Sequence, residues 1–137
     1  MSEMMTQLAD ALRAEIGDSL RGVFYGDFKT REYTIAYAHE ETLDQYTAEQ
    51  TEQIVDDIAL EQVGRARQEA LFEPIGSLRF TVRYFDDGIN VMAWGVEDVP
   101  TVYIGLDGDA KNVPIVLEQL RALAGADRTS EESEDDR

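Results

Sequence analysis

The sequence contains no cysteine, and this absence excludes several classes of chemistry at once. Disulfide bonds, thiol nucleophiles, thiolate metal sites and iron–sulfur clusters all require cysteine side chains. Histidine and lysine are almost as scarce, because His39 is the only histidine and Lys29 and Lys111 are the only lysines. We therefore expect no redox role for this chain.

The chain also has little positive charge: 12 lysines and arginines stand against 29 acidic residues, which gives a net charge of -17. Nucleic-acid affinity comes largely from lysine and arginine displacing counterions, and anionic membranes attract the same side chains. No apolar run approaches the roughly 20 residues that span a bilayer. Residues 1–6 lack the basic and apolar character of a signal peptide. We expect a cytoplasmic protein that binds neither nucleic acid nor membranes.

The acidic excess lies mostly in the body of the chain. Residues 126–137 hold six acids and two bases, so the larger share of the charge belongs to residues 1–125. Such a body repels itself unless salt screens it, and the Debye length falls to about 3 Å at about 1 M salt. Acidic, lysine-poor composition is typical of halophilic archaeal cytosolic proteins. We expect a halophilic protein that unfolds or expands in low salt, and an ordinary acidic mesophile protein is the alternative.

Hydrophobic periodicity divides the chain into three helices and five strands. Apolar residues recur every three or four positions in the helices and alternate in the strands, and glycine, proline and aspartate mark the turns. A capping box at Thr47 and Gln50 begins the central helix, and Gly64 leaves open whether that helix is one or two. Asn112 is predicted to cap the last helix. The predicted helices are 3–16, 48–72 and 113–125, and the predicted strands are 20–26, 33–38, 78–85, 89–96 and 101–106.

This order, α-β-β-α-β-β-β-α, predicts an α+β fold with a five-stranded antiparallel sheet covered by helices. Residues 1–125 form one predicted domain. The acidic tail, residues 126–137, is too polar to bury a core and is predicted to be disordered.

Three segments make the sequence similar to a family of small uncharacterised haloarchaeal proteins: 17–21 (GDSLR), 76–83 (GSLRFTVR) and 105–110 (GLDGDA). The element order also resembles the roadblock and longin group of profilin-like domains. Roadblock-type proteins homodimerise through their central helix and act as adaptors or regulators of small GTPases, so the resemblance implies an interaction module. PAS and GAF sensor domains have a comparable sheet and enclose a ligand cavity, which leaves a ligand-sensing alternative open.

One candidate interaction surface lies on the predicted strands 78–85 and 89–96. Arg79 and Arg83 share a strand face and could hold an anionic ligand or an acidic partner, and ion pairing with the chain's own acids is the favoured alternative. Met92 and Trp94 share a face of the next strand and would suit an interface if that face is open. If helices cover both faces of the sheet, Met92 and Trp94 are core residues, which is the favoured interpretation.

Other chemistry-bearing residues have simpler explanations. His39 stands beside two glutamates and could form a metal site or the acid–base pair of an enzyme, but one imidazole lacks any zinc-ligand spacing, so a solvated strand end is favoured. Asp107 and Asp109 are favoured as turn residues over a calcium loop. Asp56 and Asp57 are favoured as a hydrated helix face over paired catalytic carboxylates. No nucleophile triad, phosphate-binding glycine loop or metalloprotease motif is present.

We therefore expect no catalytic, cofactor or metal site. The sequence favours a non-enzymatic regulatory or adaptor module of a halophilic cytosol, acting as a homodimer and through an unidentified protein partner. A small-ligand-sensing module of PAS or GAF type is the alternative.

Overall fold

The computed structural model describes residues 2–96 and 98–123 of the chain. The predicted disordered tail, residues 126–137, lies outside the described residues. Short 3₁₀ turns follow α1 and α3 and precede α4. In chain order the helices and strands are α1 (Ser2–Ile16), β1 (Leu20–Asp27), β2 (Glu32–Ala38), α2 (Glu40–Gln45), α3 (Ala48–Leu71), β3 (Phe80–Phe85), β4 (Gly88–Val96), β5 (Val99–Leu106) and α4 (113–123).

The five strands form one antiparallel sheet in the order β2-β1-β5-β4-β3. A two-residue turn at Asp86 and Asp87 joins β3 to β4, and β5 then returns between β4 and β1. The predicted α+β class with a five-stranded antiparallel sheet is therefore confirmed. The strands at the two edges of the sheet are β2 and β3.

Helices α1 and α4 pack against one face of the sheet. Their apolar stripes meet the inward residues of the central strands because strand side chains alternate between faces. Leu12 and Leu120 are completely buried there. Together the helices and strands form one hydrophobic cluster on this face. Its buried residues are Met5, Leu8, Ala9, Leu12, Leu20, Val23, Tyr25, Ile89, Val91, Ala93, Val96, Val99, Val102, Ile104, Leu106, Val116 and Leu120.

Helix α3 packs against the opposite face. Val55 and Ile58 are its two buried residues among 24, and they form a small cluster with Phe28, Met92 and Trp94. Helices therefore lie on both faces of the sheet, with α1 and α4 on one and α3 on the other.

Local signals set most of the boundaries. Thr47 accepts a hydrogen bond from the Gln50 backbone N–H, and the Gln50 side chain accepts from the Thr47 N–H, so the predicted capping box is present. The helix continues through Gly64 to Leu71, which answers the open question in favour of one helix. Helix α2 has no predicted counterpart.

The start of α4 differs from the prediction at Asn112. The Asp109 side chain accepts from the Lys111 backbone N–H and caps a 3₁₀ turn, Ala110–Asn112, that leads into α4. Asn112 is the buried third residue of that turn. The predicted Asn112 cap is wrong because the helical turn begins three residues earlier.

Candidate interaction surface

Met92 and Trp94, two of the four residues predicted as an interaction surface, lie beneath α3. Both are buried, and the Trp94 Nε1–H donates a hydrogen bond of 2.9 Å to the Thr81 hydroxyl. The structure therefore places them in the core, as the favoured interpretation of their sequence pattern expected. Neither can contact a partner while α3 stays docked on the sheet.

Arg83 joins β3 to α3. Its Nη1 donates to the Asp57 Oδ2 at 2.6 Å, and its Nε is buried without a hydrogen-bond partner in the described part of the chain. Asp57 is half exposed and is held by this ion pair. Arg83 therefore secures the helix to the sheet edge.

Arg79 is the member of the predicted surface that remains free to meet a partner. Its side chain is exposed, and no carboxylate of residues 2–96 or 98–123 forms an ion pair with it. It lies near Glu69, whose carboxylate accepts the Leu78 backbone N–H at 2.9 Å. That hydrogen bond lowers the pKa of Glu69, with smaller contributions from Arg65 and Arg79.

Sequence reasoning missed an apolar stripe on the outer side of α3. Leu60, Val63 and Leu71 are 72%, 58% and 60% exposed, and helical geometry puts all three on the side facing away from the sheet. We call these three residues the α3 outer stripe. Phe72 and Ile75, also exposed, follow the end of the helix. In the sequence, Val63 continues the helical spacing of Ile54, Val55, Ile58 and Ala59, which predicts that it faces inward; that prediction is wrong.

The outer stripe lies between an acid and a base. Asp56 stands four residues before Leu60, and Arg67 stands four residues after Val63, on the same side of the helix. Asp56 also pairs with Arg31, from the turn between β1 and β2. The outward side of α3 thus has the sequence acid, apolar, apolar, base at spacings of four, three and four.

A polar network fixes the inward side of α3. The Gln62 side-chain oxygen accepts from the Phe28 backbone N–H and from the Thr101 hydroxyl, each at 3.1 Å. The Gln62 amide donates to Asp27 Oδ1 at 2.9 Å, and this hydrogen bond is the main cause of the lowered pKa of Asp27. Gln62 therefore joins α3 to β1, to the following turn and to β5.

Tyr103 lies on the same face of the sheet. Its hydroxyl accepts a 2.9 Å hydrogen bond from the Asn90 side chain. Burial raises the pKa of Tyr103 to about 12, so the phenol is protonated throughout the physiological range. This residue therefore contributes packing and a neutral hydrogen bond.

His39 caps the short helix α2. Its Nδ1 accepts the Glu41 backbone N–H at 3.1 Å, and its Nε2 lies 3.6 Å from Asp18 Oδ1. Arg21 Nη1 approaches His39 Nδ1 at 3.4 Å and donates to the Glu41 carboxylate at 3.0 Å. Residues 2–96 and 98–123 contain no group of three or more histidines and carboxylates arranged to hold a metal ion. His39 is therefore placed as a helix cap.

Asp107 and Asp109 form the turn before α4. Asp107 accepts from the Ser19 hydroxyl at 2.8 Å and from the Asp109 backbone N–H at 3.1 Å. Their side-chain oxygens are used to cap turns, which matches the turn interpretation of these residues.

A surface pocket of about 330 Å³ lies at the end of α1. Arg13 lies over the Tyr37 ring, 4.7 Å from its centroid, and Asp10 and Asp18 stand at the same pocket. The pocket thus combines an aromatic face, one cation and two carboxylates.

Within the described part of the chain, no helix combines the length and the apolar character needed to cross a membrane. No curated protein and no solved structure matches the sequence. A family model does match residues 6–125. The chain therefore belongs to the family described as a domain of unknown function, DUF7522.

Proposed function

We propose that this protein is a non-enzymatic regulatory or adaptor module that acts through protein–protein contact as a homodimer. The α3 outer stripe is the observation that carries the proposal. It is unusual for a chain with a net charge of -17 to expose three large aliphatic side chains on the solvent side of one helix. Clustered exposed apolar residues of this kind are typical of interaction surfaces.

The pattern on α3 is complementary to itself. If two α3 helices pack antiparallel with Leu60 opposite Val63 of the partner subunit, the same offset places Asp56 opposite the partner's Arg67. A two-fold axis produces each contact twice, as isologous interfaces do. Apolar contact at the centre and ion pairs at both ends would then fix the register of the pair.

The resemblance of the element order to roadblock-type domains agrees with this interface, because those domains also pair through the central helix.

The halophilic cytosol is part of the proposal and rests on composition. Acidic side chains remain hydrated and mutually screened in concentrated salt. Dialysis to low ionic strength should unfold or expand the chain, and a fully retained circular-dichroism spectrum would count against a halophilic setting.

The first experiment is sedimentation velocity of the purified chain and of the double variant Leu60→Asp, Val63→Asp. The wild-type chain should sediment as a dimer, and the double variant as a monomer, because two carboxylates replace the centre of the apolar contact. Leu43→Asp is the matched control, since Leu43 is equally exposed but lies on α2. A wild-type monomer, or a dimer that the double variant leaves intact, would contradict the proposal.

The pocket at Arg13 and Tyr37 supports a second candidate, a small-ligand-sensing module. Its size falls at the lower end of small-molecule sites. In contrast, the space between α3 and the sheet is filled by Phe28, Ile58 and Trp94. Native mass spectrometry of protein purified in high salt tests this candidate: a stoichiometric small molecule, lost in Tyr37→Ala, would favour ligand sensing.

A further inference from the structure

Strand β3 is an edge strand without the usual protection against pairing. Its register with β4 runs from Phe80 opposite Ala93 to Phe85 opposite Gly88 with no shift. The strand contains neither proline nor lysine, two residues that commonly blunt sheet edges. The other edge strand, β2, has an irregular register with β1. Its one charged residue, Arg83, is engaged by Asp57, so the regular edge can serve as a template for one more strand.

Alternate backbone groups of β3 point away from the sheet. The Trp94 N–H donates to the Arg79 carbonyl at 3.0 Å, so residues 79, 81, 83 and 85 bond towards β4 in an antiparallel ladder. The N–H and C=O groups of Phe80, Val82 and Tyr84 therefore face outward. An extended segment could pair with these three residues.

The side chains along this edge are apolar and accessible. Val82, Tyr84 and Phe85 are between 41% and 62% exposed. Val82 and Tyr84 share the face covered by α1 and α4, but lie at its margin. They can pack against the side chains of an added strand.

Arginines flank the same edge on both faces of the sheet. Arg79 and Arg83 lie on the α3 side, and Arg121 of α4 lies over the Phe80 ring at 5.8 Å on the other side. Arg83 is already paired with Asp57, whereas Arg79 and Arg121 form no ion pair within residues 2–96 and 98–123, and Asp86 and Asp87 stand at the opposite end of the strand. The charge at the Phe80 end of this edge is therefore complementary to an acidic segment.

We propose that β3 binds an extended acidic segment of a partner protein, which pairs with Phe80, Val82 and Tyr84 as a sixth strand. Carboxylates at alternate positions of that segment reach Arg79 on one face or Arg121 on the other. Antiparallel pairing of β3 with β3 of a second copy would place Arg79 beside Asp86 of the partner subunit, so a dimer through this edge is the competing outcome of the test. The two arginines without an ion pair favour an acidic partner, and the site is separate from the α3 outer stripe.

The test uses a fluorescein-labelled peptide, acetyl-Thr-Val-Glu-Val-Glu-Val-Thr-amide, and fluorescence anisotropy with the full chain. A second peptide has lysine in place of both glutamates. We expect the glutamate peptide to bind at least tenfold more tightly, because only its charges match the edge. Equal binding of the two peptides would overturn the proposal.

Two variants test whether the peptide binds along β3. Val82→Pro removes an outward N–H and no bond to β4, and should weaken binding about tenfold. Arg79→Glu should weaken it about fivefold, while Lys29→Glu in the turn between β1 and β2, at the opposite edge of the sheet, is the matched control and should leave it unchanged. If Val82→Pro unfolds, Arg79→Glu alone decides. Unchanged binding to a folded Val82→Pro or to Arg79→Glu, or loss of the homodimer in Val82→Pro, would overturn the proposal.

Discussion

The two faces of the sheet are covered by helices held in different ways. Among the residues that the structure describes, seventeen buried apolar residues form one cluster on the face of α1 and α4, whereas five form the cluster beneath α3. Helix α3 buries few apolar side chains. It is held on the sheet also by the hydrogen bonds of Gln62 and by the ion pair between Arg83 and Asp57. We infer that the first face determines global stability, and that the α3 layer is the weaker and more separable one.

The largest expected effect is on the face of α1 and α4. Ile104→Ala removes a fully buried side chain from β5 and leaves a cavity, which should lower the free energy of unfolding by about 2–5 kcal/mol. Ile35→Ala, at a half-exposed position of β2, should cost far less. Urea unfolding followed by circular dichroism measures both. A cost below about 1 kcal/mol for Ile104→Ala would mean that the large cluster does not determine global stability.

A smaller effect is expected from Gln62→Ala. The change leaves the Phe28 N–H and the buried Thr101 hydroxyl without their acceptor, at a cost of about 1–3 kcal/mol. Hydrogen exchange should accelerate in α3 and stay unchanged in α1 and α4. Gln53→Ala, on the exposed side of α3, is the control. Equal acceleration in all three helices would show that the α3 layer does not open separately.

The smallest expected effect is the pH dependence of the stability contributed by the hydrogen bond between Gln62 and Asp27. The Gln62 hydrogen bond holds the pKa of Asp27 below its ordinary value of 3.8, so ionised Asp27 stabilises the folded chain above the unfolded-state pKa. This contribution is lost as pH falls through the lower folded-state pKa. The stability difference between wild type and Gln62→Ala should therefore narrow below about pH 4. A difference that widens there would reverse the assigned sign.

The parts of the fold predicted from sequence are those with local causes. The capping box at Thr47 and Gln50 and the turn at Asp86 and Asp87 each depend on a few adjacent residues, and both are present. Helix α2 was not predicted because six residues are too few to show a helical period. The sequence pattern around its cap, His39, indicates a metal ligand, an acid–base pair or a solvated strand end, but not a helix cap.

The candidate surface depends on tertiary position, which periodicity does not contain. In β4, the run Val91, Met92, Ala93 and Trp94 is apolar on both faces, so sequence cannot say which face a helix covers. On α3, Leu60 and Val63 have the spacing of a second stripe, but only the docked helix shows which stripe faces the sheet. The outer stripe could have been found by asking whether the central helix carries two apolar sides.

The most direct test of the proposed homodimer is a charge-reversal cycle on α3, measured as the dimer dissociation constant at the lowest salt that keeps the chain folded. Because Arg31 also pairs with Asp56, the cycle is made in an Arg31→Ala background. In that background Asp56→Arg and Arg67→Asp should each weaken the dimer by roughly three- to tenfold, because each breaks two symmetric ion pairs. The double variant restores opposite charges at the same offset and should return to within about twofold of the background. A double variant whose loss of dimerisation free energy equals the sum of the two single losses would contradict antiparallel pairing of α3.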